Sequence, residues 1–126
     1  MSHIAITKVK LRNPDEQLLR ETVEKVAEEL NGEQVYEIVD YYGKKRKVPL
    51  GIKTPQIPRG VGISIDSRGD VQCEADEWQA KGKIQNLKNL LVQTYTSLAI
   101  DISLRNLGYN VSQQKQGDKV YIYAQV

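Results

Sequence analysis

The sequence predicts a single α+β domain spanning residues 1–126. Apolar residues recur at three- and four-residue steps in only two stretches, the mark of amphipathic helices. They alternate with polar residues through most of the remainder, the mark of strands with one solvated face. Short Gly-, Asn-, Asp- or Pro-containing turns join most of those strands, which favours an antiparallel or mixed sheet. The predicted order is β-α-β-β-β-β-α-β-β.

Ile4 and Ile6 alternate, then Val9 and Leu11 continue in the opposite phase, so the first strand carries a bulge or irregularity. Asn13-Pro14-Asp15-Glu16 starts a helix, with Asn13 as the cap, Pro14 in the first turn and Glu16 three residues after the cap. Leu18, Leu19, Val23, Val26, Ala27 and Leu30 form its apolar stripe, and Asn31-Gly32 ends it in the left-handed conformation. Gln34 to Tyr42, rich in β-branched and aromatic residues, reads as a strand entering a hairpin loop at Gly43 and Lys44-Lys45-Arg46-Lys47. Val48, Leu50 and Ile52 alternate next, with Pro49 placing that strand at an edge or a bulge. Thr54 to Gly60, with two prolines, reads as a loop.

Val61-Ile63-Ile65 and Val71-Cys73-Ala75 flank Asp66-Ser67-Arg68-Gly69-Asp70, the clearest hairpin in the chain. A second helix runs from about Ile84 to Leu107, and its wide apolar stripe predicts that it is the more buried of the two. Gly108 ends it. Tyr109-Val111 and Val120-Ile122-Ala124 then flank a polar turn, Ser112 to Lys119.

Composition narrows the chemistry. With one His and one Cys in 126 residues, the chain lacks the ligand set of a structural zinc site and an evident nucleophile–histidine pair. No phosphate loop, HExxH, CxxC or nucleophile elbow occurs, so the sequence offers no catalytic residues, no metal ligands and no cofactor, and the expectation is a protein that is not an enzyme. Met1 to Asn13 has no signal-peptide character, no apolar run spans a bilayer, and a lone Cys forms no internal disulfide; a cytoplasmic protein without membrane contact is expected.

The net charge of +2 is small, but its distribution is uneven. Seven acids between Asp15 and Glu33 face only Arg20 and Lys25, whereas Tyr41 to Ile65 holds six bases and no acid. Lys44, Lys45, Arg46 and Lys47 beside Tyr41 and Tyr42 make a candidate binding loop, whose cations could neutralise phosphates and whose rings could stack on bases. The plainer account is a solvated hairpin tip. Asp66, Asp70, Glu74, Asp76 and Glu77 surround the central hairpin without the spacing of a calcium loop and read as a polar face. Cys73 points with Val71 and Ala75, as an inert core thiol would. Trp78 is either a core plug or, if exposed, an interface residue. Asp101 and Arg105 form an i, i+4 pair on the second helix.

Several landmarks in order carry a resemblance: the Met1-Ser2-His3 start, Tyr42-Gly43 before a basic turn, the Val48–Ile52 alternation, Trp78 before a long helix, Gln93-Thr94-Tyr95 within it, and Gly108 before a final hairpin. The chain resembles the domain-of-unknown-function family numbered 1257, whose plastid and cyanobacterial members are called hypothetical chloroplast reading frame 35. It departs from that pattern at Ile4 and at Gln125-Val126. The resemblance implies no activity. It marks His3, Tyr42, Trp78, Gln93 and Tyr95 as matching positions of unknown role, and the association of related genes with AAA-type ATPases implies an adaptor role.

The sequence therefore leads to a noncatalytic interaction or adaptor domain with a protein partner or a second copy of itself, the acidic helix of one copy meeting the basic loop of another. The alternative is a nucleic-acid-binding module using residues 44–47. A third reading is an enzyme with an unrecognised carboxylate and tyrosine site.

Overall fold

A computed structural model describes residues 4–126. His3 lies outside the described residues. The elements are β1 (Ile4–Arg12), α1 (Glu16–Glu29), β2 (Glu33–Val39), β3 (Lys45–Thr54), β4 (Ile57–Ile65), β5 (Asp70–Asp76), α2 (Lys81–Asn106), β6 (Asn110–Gln116) and β7 (Lys119–Gln125), the order the sequence predicts. The first five strands form one antiparallel sheet in the order β1-β5-β4-β3-β2, and β6 and β7 form a separate hairpin.

The helices lie on one face of the large sheet. Leu19, Val23, Val26 and Ala27 of α1 and Ile84, Leu87 and Leu91 of α2 share one core with Leu50, Ile52, Val61, Ile63, Val71, Cys73 and Ala75 from the strands. Side chains buried to this degree contribute roughly 1.5–3 kcal/mol each, so this cluster is the main source of stability. Contrary to the expectation from its stripe, α2 is the less buried helix. Only Ile84, Leu87 and Leu91 of α2 are buried, against six residues of α1, because the second half of α2 runs past the sheet it would need to pack on.

Local chemistry explains the boundaries. The phase change in β1 is a register shift against β5 between Lys8 and Arg12. The cap of α1 is Asp15 and not Asn13: the Asp15 carboxylate accepts from the Leu18 N–H at 2.9 Å, while Asn13 sits at positive φ and donates its N–H to the Gly69 carbonyl at 2.7 Å. Asn31 takes the left-handed conformation that ends α1, and Gly32 N–H reaches the Ala27 carbonyl at 2.8 Å.

Three stretches expected as loops are largely strand. The turn after β2 closes at Asp40–Gly43, so Lys45, Arg46 and Lys47 belong to β3 and pair with Val39, Ile38 and Glu37. Asp40 fixes this early closure, its carboxylate accepting from the N–H groups of Tyr42 and Lys44, both at 2.9 Å. Pro58, Arg59 and Gly60 belong to β4, where a register shift opposite Lys53 absorbs the proline and puts Gly60 at φ +84°. Ser112 to Gln116 extend β6, so only the residues around Gly117 and Asp118 form the last turn.

Pro49 lies in a bulge of an interior strand, because one β2 residue, Tyr36, faces Val48, Pro49 and Leu50 of β3. Beyond that bulge the β2–β3 arm leans over β4 and β5, with which β2 makes contacts although it is not their neighbour in the sheet. Glycines make room for the arm. A Cβ at Gly62 would fall 2.4 Å from Val48 Cγ1, and one at Gly60 would fall 3.1 Å from Ile38 Cγ2.

Candidate interaction surface

The leaning arm brings the Asp40–Gly43 turn over the end of β5, where Asp76 is only 3% exposed. A buried carboxylate needs donors, and Asp76 has them: Tyr41 N–H at 2.7 Å, Trp78 N–H at 3.0 Å and the Arg59 guanidinium at 3.9 Å. Arg59 also donates to the Trp78 carbonyl at 3.2 Å and lies 4.9 Å from the centroid of the Tyr41 ring. Tyr41 packs edge to face on both Tyr42 and Trp78, with centroids 5.3 and 6.2 Å apart. The result is three rings, 53%, 73% and 44% exposed for Tyr41, Tyr42 and Trp78, two of which, Tyr41 and Trp78, have their backbones tied to one carboxylate. Trp78 is thus an exposed residue and not a core plug.

The basic tetrad is divided by its position in β3. Arg46 Nε sits 2.7 Å from Glu74 Oε2, a charge pair whose alignment falls short of a hydrogen bond, since that buried oxygen has no hydrogen-bond partner among the described residues. Lys45 pairs with Glu37 at 3.7 Å, Lys47 stands opposite Glu37 in the ladder, and Lys44 stays in the turn. Carboxylates within the chain therefore offset part of the charge that the sequence presents as one run. Tyr41 and Tyr42 join the cluster with Trp78, and of the four bases only Lys44 shares their turn.

The other matching positions are structural ties. Tyr95 Oη accepts from the N–H of Asp15, the cap of α1, at 2.9 Å. Gln93 donates to the Asp118 carbonyl and ties α2 to the β6–β7 turn. That hairpin is further held by Lys115 to Glu29, by Arg105 donating to the Val111 carbonyl at 2.8 Å, and by Asp101, which accepts from Arg105 at 2.6 Å and Gln113 at 2.9 Å. These two donors, Arg105 first, hold the Asp101 carboxyl below its ordinary pKa.

No group of three His, Cys, Asp or Glu among the described residues could hold a metal ion, and no described helix is long and apolar enough to cross a membrane. Asp66, one of the acids around the central hairpin, is a turn-former whose pKa is lowered chiefly by the hydrogen bond from the Asp70 N–H. Cys73 is buried among core residues, and that burial pushes its pKa up to about 12. Sequence reasoning misses Arg59 and Asp76 as parts of this cluster, and the only hint of Asp76 is its outward phase in β5, opposite to Val71, Cys73 and Ala75. No protein-family model, curated protein or solved structure matches the chain.

Proposed function

We propose that the protein is a noncatalytic interaction domain that engages a protein partner through Tyr41, Tyr42, Trp78 and Arg59. One observation carries this reading: the exposed Tyr41 ring contacts the exposed rings of Tyr42 and Trp78, while buried Asp76 holds the Tyr41 and Trp78 backbones and Arg59 lies against the Tyr41 ring. Tyr, Trp and Arg are the residue types that dominate binding hot spots. Rings already held in place lose little conformational freedom on binding, which leaves more of their contact energy as affinity. The pairing of Arg46 with Glu74 and of Lys45 with Glu37 favours this reading over nucleic-acid binding by residues 44–47. An adaptor beside an AAA-type ATPase is the form of this proposal that the family resemblance supports.

The test is affinity capture with the wild-type protein, a Tyr42→Ala/Trp78→Ala variant and a variant with Ala at positions 44–47, each with and without nuclease. The proposal expects a nuclease-resistant protein that the ring variant loses, since truncating one hot-spot side chain weakens binding about 30-fold or more. Capture of nucleic acid that depends on residues 44–47 and survives the ring substitutions would refute it.

A further inference from the structure

From Val92 to Val126 no side chain is buried, although this stretch holds the second half of α2 and the whole β6–β7 hairpin. Ile100, Ile102, Leu107, Tyr109, Tyr121 and Tyr123 are among its exposed residues, from 38% for Tyr109 to 74% for Leu107. An isolated two-stranded hairpin is marginal in water, and here its attachment to the helices combines polar contacts from Gln93, Asp101, Arg105 and Lys115 with Val111, Val120 and Ile122, which are only half-buried. A unit of regular secondary structure with so much apolar surface and no buried side chain is half of a core.

We propose that the other half is a second copy of this chain, joined by antiparallel pairing of β7 with its symmetry mate across a two-fold axis. Composition distinguishes the two strands of the hairpin. β6 reads Asn-Val-Ser-Gln-Gln-Lys-Gln, as suits an edge, whereas the centre of β7 reads Val-Tyr-Ile-Tyr, as suits a strand with neighbours on both sides. Within the hairpin β7 has only β6 beside it, so its other edge has no strand partner among the described residues.

Register and charge fit a symmetric pair. An axis through Ile122 sets Tyr121 against the partner's Tyr123, Val120 against the partner's Ala124 and Lys119 against the partner's Gln125. No like charges face each other, and aromatic pairs form across the strands. The acid and base nearest the hairpin on α2, Asp101 and Arg105, already neutralise each other within the chain, so two identical surfaces meet without net repulsion. Tyr121 and Tyr123, 40% and 50% exposed, supply aromatic surface on the pairing strands themselves, and the joined edges add main-chain hydrogen bonds. This surface is separate from the Tyr41–Trp78 cluster, so either proposal can fail without the other.

The test is the mass of the full chain by sedimentation over a wide concentration range, for wild type and for Tyr121→Lys/Tyr123→Lys, which places cations opposite cations across the axis. The proposal expects twice the 14.3 kDa chain mass for wild type and a dimer dissociation constant raised by about 100-fold or more for the variant. Unchanged cooperative unfolding of the variant's main sheet would show that the loss is one of association. Oxidative cross-linking of an Ile122→Cys variant checks the register, because this position meets itself at the axis and the native Cys73 thiol is buried. A wild-type monomer at every concentration, a dimer that survives the double lysine substitution, or an Ile122→Cys dimer that oxidation fails to cross-link would each overturn the proposal.

Discussion

Replacing Asp76 is the most direct probe of how the exposed rings are held. The carboxylate accepts from the N–H groups of Tyr41 and Trp78 at 2.7 and 3.0 Å in a site only 3% exposed. Hydrogen bonds to a charged acceptor contribute about 1.5–3 kcal/mol each. Arg59, at 3.9 Å and partly open to water, adds about 1 kcal/mol or less. Because the freed turn can recover some hydration, Asp76→Ala should cost about 3–5 kcal/mol, or roughly 10–20 °C in Tm for a domain of this size. Asp76→Asn should cost about half as much, since its amide oxygen still accepts one N–H while its NH2 group meets the other donor. Urea unfolding followed by circular dichroism gives the magnitude. The emission of Trp78, the single tryptophan, reports the local change. Glu37→Ala, which breaks an exposed pair, is the control and should cost less than about 1 kcal/mol. A cost below about 1 kcal/mol for Asp76→Ala, with Trp78 emission unaltered, would refute the view that this carboxylate organises the cluster.

Gly62→Ala forces a methyl group to within 2.4 Å of Val48 Cγ1, so it should destabilise by about 1–3 kcal/mol, and Val48→Ala in the same chain should restore part of that loss in urea titrations. Cys73 should resist thiol reagents in the native protein and react only on unfolding. Its folded pKa is raised from 9.0 to about 12, so the thiol's contribution is complete below pH ~9 and falls as pH rises toward 12; wild type should lose at most about 4 kcal/mol relative to Cys73→Ala across that window. Asp101 has the opposite sign. Its folded pKa is lowered by Arg105 and Gln113, so its contribution is present above the ordinary carboxylate pKa of ~3.9 and is lost as pH falls through the folded value. The protection factors of the Asn110–Gln125 amides, which correct for the intrinsic slowing of exchange in acid, should therefore fall as pH drops through that value, and Asp101→Asn should remove this fall.

The element order is legible because burial on one face imposes a period, and the period survives in the residues of α1, β4 and β5. The limits of the strands are less so. A solvated residue such as Lys45 or Ser112 looks alike in a strand and in a loop, and only the hydrogen-bonding partner decides, which is why the basic tetrad reads as a hairpin tip. Asp40 does carry the missing signal, a turn-forming side chain four residues before Lys44. The site is half legible. Tyr41, Tyr42 and Trp78 stand out by type, but Asp76 and Arg59 join them only because β3 bends at Pro49 and rests Val48 over Gly62, a long-range event with no periodic trace. The burial of α2 escapes the sequence for a related reason: an apolar stripe says that a surface needs a cover and does not say that the same chain supplies it.

If the β7 pairing and the ring cluster are both right, the dimer carries two identical clusters, and this has a measurable consequence for a partner displayed in many copies. Two linked sites bind such a surface with an avidity that can exceed the single-site affinity by about 10²–10⁴, because the second contact forms at high effective concentration. In free solution with a monovalent partner, each site binds independently and the factor vanishes. Tyr121→Lys/Tyr123→Lys leaves the cluster of Tyr41, Tyr42 and Trp78 untouched, so it should keep the solution affinity and lose most of the affinity for a densely immobilised partner. Tyr42→Ala/Trp78→Ala should reduce both. Equal losses in the two formats for the β7 variant would mean that the hairpin itself touches the partner, and the separation of the two surfaces would then be wrong.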